Sequence, residues 1–187
     1  MAEAFFQATA WTMDTPKPYG AFHLVLTVLG VSLSIFLARK FSFPERKAGP
    51  DTILFLCGLF LGLTELYKQG FIYYIENGRT YDWWYFPFQL CSVPMYLGLF
   101  IPMVPARIRN VFYLFIQDFG LLGGIMALAE PSGLMHPYWT MTVHGFLWHF
   151  NLIFMGLICA FYNLKTETPK SCIRSRCFFS VLPLPQL

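Results

Sequence analysis

"GAFHLVLTVLGVSLSIFLA", residues Gly20 to Ala38, carries a single ionisable side chain, His23. A helix rises about 1.5 Å per residue, and about 20 apolar residues cross the roughly 30 Å of hydrocarbon in a bilayer. The solvent of this stretch is lipid. Working outward, four more windows have the same character: Thr52 to Gly70, Trp84 to Val104, Asn110 to Leu128 and Trp139 to Leu164. No window alternates apolar and polar residues over several strands, which argues against a membrane β-barrel. The whole chain agrees, with 56 % apolar, 19 % aromatic and only 12 % charged residues, too much oil for a soluble domain of this size. The expected fold is all-α: a polytopic membrane helical bundle of about five transmembrane helices over residues 20–164, flanked by an N-terminal segment, 1–19, and a basic tail, 165–187.

The breaks between windows, "RKFSFPERKAGPD", "ENGRTYD", "PARIRN" and "EPSGLMHP", hold the charged, Gly and Pro residues of loops. Lys and Arg are retained on the cytoplasmic side of short loops. With the N-terminus outside, the inner segments hold Arg39, Lys40, Arg46, Lys47, Arg107, Arg109, Lys165, Lys170, Arg174 and Arg176, against Lys17, Lys68 and Arg79 outside. This bias predicts an external N-terminus, a cytoplasmic C-terminus and a multi-pass protein of the cell membrane. The first 19 residues lack the basic start, apolar centre and cleavage site of a signal peptide. "AEAFFQATAW" reads equally as a short interfacial helix or as an unstructured tail.

No Gly-rich phosphate loop or dinucleotide fingerprint is present, and the net charge of +3 reports orientation rather than nucleic-acid binding. Membrane lipids are the expected partners, together with either a second copy of the chain or another membrane protein. No cofactor or metal is expected: His144 and His149 are five apart, not the i, i+4 pair that grips zinc on a helix.

Ionisable groups are costly inside a bilayer, by roughly 2.5–3.5 kcal/mol for Asp at a helix centre. Glu65, Asp118, His144 and His149 are therefore expected to line a shared polar interior. In the third window, "FPFQLCSVPMYLGLF" (residues 86–100) sets Gln89, Cys91 and Ser92 within one turn and follows them with Pro94, which is expected to kink the helix beside Cys91. Helix rise puts Cys91, His144 and Glu65 in one layer of the bundle, while Asn151 follows His144 by two turns on the same face. A catalytic thiol needs a histidine to give it thiolate character and a group to orient that histidine. Cys91, His144 and Glu65 are the right types for catalysis, with Gln89, Ser92, Asp118, His149 and Asn151 as binding residues. Each also has an ordinary reading. Glu65 could simply join helices, and His149 and Asn151 read more readily as interhelical hydrogen bonds. His23 and His136 look incidental, and Cys57 and Cys159 read as small hydrophobes. Cys172 and Cys177 flank the basic tail and could accept a fatty acyl chain. "GLFLG" and "GLLGG" are small-xxx-small patterns for close helix packing.

"FPFQLCSVPMYL", then "DFGLLGGIMALAEP", then "HPYWTMTVHGFLWH" resemble successive signatures of the YwaF-like family of integral membrane proteins, which is related to transmembrane protein 164 of animals. The likeness spans roughly residues 20–165. It implies a polytopic helical bundle and, for the animal branch, a cysteine-dependent acyltransferase acting on phospholipids, with Cys91 at the family's Leu-Cys position and His144 at its histidine before the core of the fifth helix. Many relatives have histidine where Gln89 stands, and Gln89 could orient a thiol but not act as its base. The tail "KTETPKSCIRSRCFFSVLPLPQL" looks foreign to the family, which suggests a truncated or frame-shifted member. Three functions remain open from the sequence: thiol acyl transfer, transport of a small solute or protons along the ionisable groups, and a non-catalytic scaffold.

Overall fold

The computed structural model describes residues 1–42 and 50–166. Seven α-helices are present among them: α1 (Ala2–Thr9), α2 (Ala21–Ser42), α3 (Asp51–Phe71), α4 (Val93–Phe100), α5 (Ala106–Phe115), α6 (Leu121–Ala129) and α7 (Trp139–Thr166). A wide π-helical turn, Ile116–Gly120, joins α5 and α6 into one run, and a second, Ile72–Glu76, extends α3. The described residues form no strand beyond a single antiparallel bridge between Thr12 and Tyr138. Arg46, Lys47 and the tail beyond 166, with Cys172 and Cys177, lie outside the described residues.

Three helical runs, Ala21–Ser42, Ala106–Ala129 and Trp139–Leu164, are long and apolar enough to cross a membrane. The pattern of burial on α2 says which solvent surrounds them. Its buried residues are His23, Ser34 and Ala38, while Leu24, Val25, Val28, Leu29, Leu33 and Phe36 are exposed. That arrangement is inside-out for water and right for lipid, where the driving force for packing is close contact and polar bonding rather than burial of oil. His23 Nε2 bonds the Leu128 carbonyl at 3.1 Å, and the Ser34 hydroxyl donates to the Phe150 carbonyl at 3.2 Å. His23, which looked incidental in the sequence, therefore ties α2 to the end of α6.

α7 is the central helix. Trp148, Leu152, Met155, Ile158 and Cys159 belong to one buried cluster with Leu54 and Leu61 of α3, Met95 of α4 and Ile116. Phe146, Phe150 and Ile153 face the other way, towards α2 and Leu128. Close approach depends on glycine where α3 meets α4: a Cβ on Gly58 would lie 2.8 Å from the Leu99 nitrogen, and one on Gly98 would lie 2.7 Å from the Leu54 carbonyl oxygen.

Polar contacts fix both ends of the bundle. At one end, Asp51 at the start of α3 accepts from Tyr113 and pairs with Arg109, the Nη1–Oδ2 distance being 2.5 Å. Replacing Asp51 by Ala is expected to cost about 1–3 kcal/mol, the range for hydrogen bonds to a charged group, with partial exposure of the pair favouring the lower end. A lowered melting temperature in detergent, largely restored by Asp51→Asn, is the expected observation. At the other end, the hydroxyls of Ser132 and Tyr19 donate to Glu130 and hold its carboxyl below the usual range. There the N-terminal segment is also docked. Phe6 of α1 fills the space over Gly70, the Tyr67 hydroxyl donates to Thr9 Oγ1 at 2.6 Å, and Arg79 pairs with Glu3.

The third window differs from the continuous helix Trp84 to Val104 that its composition suggests. A short 3₁₀ turn, Trp83–Tyr85, is followed by non-helical backbone through Phe86–Gln89, a second 3₁₀ turn at Leu90–Ser92, then α4 and a third 3₁₀ turn at Ile101–Met103. Pro94 therefore kinks nothing. It lies in the first turn of α4, where its missing N–H would have had no helical partner anyway.

Candidate functional site

Unwinding before α4 leaves Gln89, Cys91 and Ser92 on a short segment that must be held by other elements. The Tyr96 hydroxyl reaches back from α4 to the Pro87 carbonyl at 3.0 Å, and the Trp148 indole Nε1 of α7 donates to the Cys91 carbonyl at 3.4 Å. On the α6 side Cys91 packs against Gly123, where a Cβ would stand 3.8 Å from the Cys91 Cβ. From the end of α3, Gln69 Nε2 donates both to Glu65 Oε1 at 2.7 Å and to the Tyr85 carbonyl at 2.6 Å. Four helices thus frame the segment that carries Gln89, Cys91 and Ser92.

Between them lies a cavity of about 410 Å³. Its walls include Glu65 and Lys68 of α3, Gln89, Cys91 and Ser92 of the unwound segment, and His144, Trp148 and His149 of α7. Six of the eight residues singled out by sequence therefore meet in one place. Asp118 and Asn151 do not. Asn151 Nδ2 donates to the Cys57 carbonyl at 3.3 Å, an interhelical bond. Asp118 is exposed on the outer side of the π-helical turn, where Gln117 donates to it at 3.2 Å. The shared polar interior expected for four ionisable groups holds three of them.

Hydrogen bonding within the cavity differs from a Cys–His–Glu chain. The Cys91 thiol donates to Gln89 Oε1 at 3.7 Å, while Glu65 pairs with Lys68, Nζ–Oε1 2.7 Å. The His144 ring lies tilted against Trp148, 5.6 Å between ring centroids; one of its nitrogens is held by the Thr64 backbone, and its Nε2 is buried without a hydrogen-bond partner. In His149 the Nδ1 lies 2.7 Å from the Gly145 carbonyl. A carbonyl can only accept, so Nδ1 carries the proton and Nε2 holds a lone pair. Fixing one ring nitrogen in this way is how a histidine is prepared as a base or ligand. Among the described residues no three His, Cys, Asp or Glu side chains are grouped as a metal site.

Residues 18–185 match the TMEM164 family. The chain belongs to the TMEM164 family. As a TMEM164-family member with several apolar helices it is a multi-pass membrane protein whose surroundings are lipid. Comparison with curated proteins and with solved structures finds no match. The matched region of this TMEM164-family chain includes every residue of the cavity wall and leaves out α1, which nonetheless packs on α3.

Sequence reasoning missed Lys68, Gln69, Trp148 and His136. Lys68 and Gln69 follow Glu65 by three and four residues, the spacing at which helical side chains meet, and that signal was available. His136 looked incidental in its loop, but it lines the cavity, held by reciprocal hydrogen bonds between its backbone and Thr142 Oγ1 at 3.1 and 3.2 Å. Only the fold brings that loop back over α3.

Proposed function

We propose that this protein transfers fatty acyl groups between glycerophospholipids in the cell membrane through a thioester on Cys91. The observation that carries the reading is a thiol and three imidazoles, two of them on α7, in the wall of one cavity within a lipid-embedded bundle. Both imidazoles of α7 have one ring nitrogen held by a backbone group, His149 by Gly145 and His144 by Thr64; His149 is taken as the proton acceptor because the free Nε2 of His144 is fully buried. His144, the histidine that the family resemblance points to, leans against Trp148 and shapes the wall beside it.

In the first half-reaction the Cys91 thiol turns from Gln89 and gives its proton to His149 Nε2, and sulfur attacks the ester carbonyl of the donor lipid. The carbon–sulfur bond forms, the ester carbon–oxygen bond breaks, and the imidazolium returns the proton to the departing glycerol oxygen. In the second half-reaction the neutral imidazole takes a proton from the hydroxyl of an acceptor lysophospholipid, whose oxygen attacks the thioester; the carbon–oxygen bond forms, the carbon–sulfur bond breaks, and the imidazolium returns the proton to sulfur, regenerating the thiol. Gln89, as the thiol's resting partner, positions the sulfur.

The test is to incubate the full chain in lipid nanodiscs with a phospholipid carrying a labelled acyl chain. A protein-bound label released by hydroxylamine is expected; none on the wild-type chain would overturn the reading. His149→Gln is expected to slow thioester formation at least about 100-fold, the lower range for loss of a general base, and His144→Gln much less. Single-turnover labelling rates measure both, and the reverse ranking would return the base to His144. A proton or solute path through all four ionisable groups fits less well, since Asp118 stands outside the cavity.

A further inference from the structure

Lys68 is the cationic side chain of the cavity wall, and this mechanism leaves it unused. It stands in the last turn of α3, with Nζ 2.7 Å from Glu65 Oε1 and 6.0 Å from the centroid of the Trp148 ring, and its side chain is 20 % exposed. An ammonium has three donors and no acceptor. Glu65 takes one of them, through an oxygen it shares with Gln69, and the ring offers Lys68 a cation–π attraction rather than a hydrogen bond. Two donors on a largely buried cation are thus left for whatever fills the cavity. A buried charge stabilises a structure only when its remaining hydrogen-bonding capacity is met, and anionic oxygen meets it best.

We propose that Lys68 receives the phosphodiester of a glycerophospholipid and thereby positions the lipid's ester carbonyl at Cys91. The proposal rests on the acyl-transfer reading for its purpose, though not for its test. Position along the bundle supports it. Lys68 lies three residues from the end of α3, beside Trp84 and Tyr85 in the cavity wall, and aromatic rings of this kind mark the headgroup level of a bilayer. In a glycerophospholipid the phosphate and the acyl esters are joined to neighbouring glycerol carbons. A phosphate held near the helix end therefore leaves the esters within the cavity, towards the reactive segment. Lys68 shares the cavity wall with both Cys91 and His144. Glu65 adds selectivity: its carboxylate beside the ammonium disfavours a doubly charged free phosphate more than a singly charged diester.

Equilibrium binding to the full chain in detergent tests this, with a lysophospholipid and a monoacylglycerol of the same acyl chain as probes and inorganic phosphate as competitor. The lysophospholipid is expected to bind about tenfold more tightly, as one charge-assisted hydrogen bond allows. Lys68→Gln should erase that preference while keeping monoacylglycerol binding, which also reports that the variant is folded; Lys68→Arg should retain it. Equal affinities in the wild type, a preference that survives Lys68→Gln, or displacement of the lipid by inorganic phosphate at comparable concentration would each overturn the assignment. Because binding needs no thiol, the preference should persist in Cys91→Ser, so failure of acyl transfer and failure of headgroup recognition are read separately.

Discussion

Cys91→Ser is expected to abolish covalent capture of acyl groups, lowering labelling by more than about 100-fold, with little change in melting temperature. The two expectations come from different parts of the structure. Sulfur is the atom the chemistry needs: a thiol is easily ionised and strongly nucleophilic, whereas a serine hydroxyl in the same place needs a much stronger base. The fold, by contrast, scarcely depends on the sulfur. The segment is held through the Cys91 carbonyl by Trp148, through Pro87 by Tyr96, and by contact of the Cys91 backbone and Cβ with Gly123. A serine hydroxyl can still donate to Gln89 Oε1. Labelling of the serine variant at the wild-type level would remove the thiol from the mechanism, and a large fall in melting temperature would make Cys91 a structural residue instead. Hydroxylamine distinguishes the bonds, since a thioester is cleaved more readily than an oxygen ester.

The long apolar windows were legible because a bilayer imposes one length and one chemistry on any helix that crosses it. Segment 86–100 was less so. Its composition is that of a membrane helix, and nothing local reveals that Phe86–Gln89 stays unwound. That depends on Gln69, Tyr96 and Trp148, brought from three other positions in the chain. Pro94 was the available clue, since proline is as much at home in a first helical turn as at a kink, and the first-turn alternative places the polar residues before the helix.

Asp118 gives a second lesson. The small-xxx-small pattern makes Gly120 and Gly124 packing residues and the cost of a charge in lipid makes Asp118 an interior one, yet a residue two positions before Gly120 lies roughly 200° away around a helix. Both readings cannot hold on one face. Gly120 and Gly124 face the backbone of α7 near Leu152 and His149, so Asp118 faces outward. The pairing within the cavity was hidden for a different reason. Residue types suggested Glu65 for a histidine, but Lys68 and Gln69 are its neighbours on the same helix and reach it first.

Gly58→Val is expected to damage stability and acyl capture together. The nearest atoms to a new Cβ there are the Leu99 nitrogen at 2.8 Å, the Met95 carbonyl oxygen at 2.9 Å and the Gly98 carbonyl carbon at 3.0 Å. All are backbone atoms of α4, and none can turn aside as a side chain would. Overpacking usually costs about 1–3 kcal/mol; with only backbone to displace, the upper end or more is expected, seen as a lower melting temperature in detergent. Gly62, one turn further along α3, is the control. A Cβ there meets only Leu99 Cδ1, at 3.8 Å, so Gly62→Val should leave both properties nearly unchanged. Loss of capture follows from connectivity: α4 begins directly after the Leu90–Ser92 turn, so pushing α4 away from α3 draws Cys91 from the wall it shares with α7. If Gly58→Val melted like the wild type, α3 and α4 would not be in backbone contact, and the cavity would lack the rigid side on which Cys91 is held.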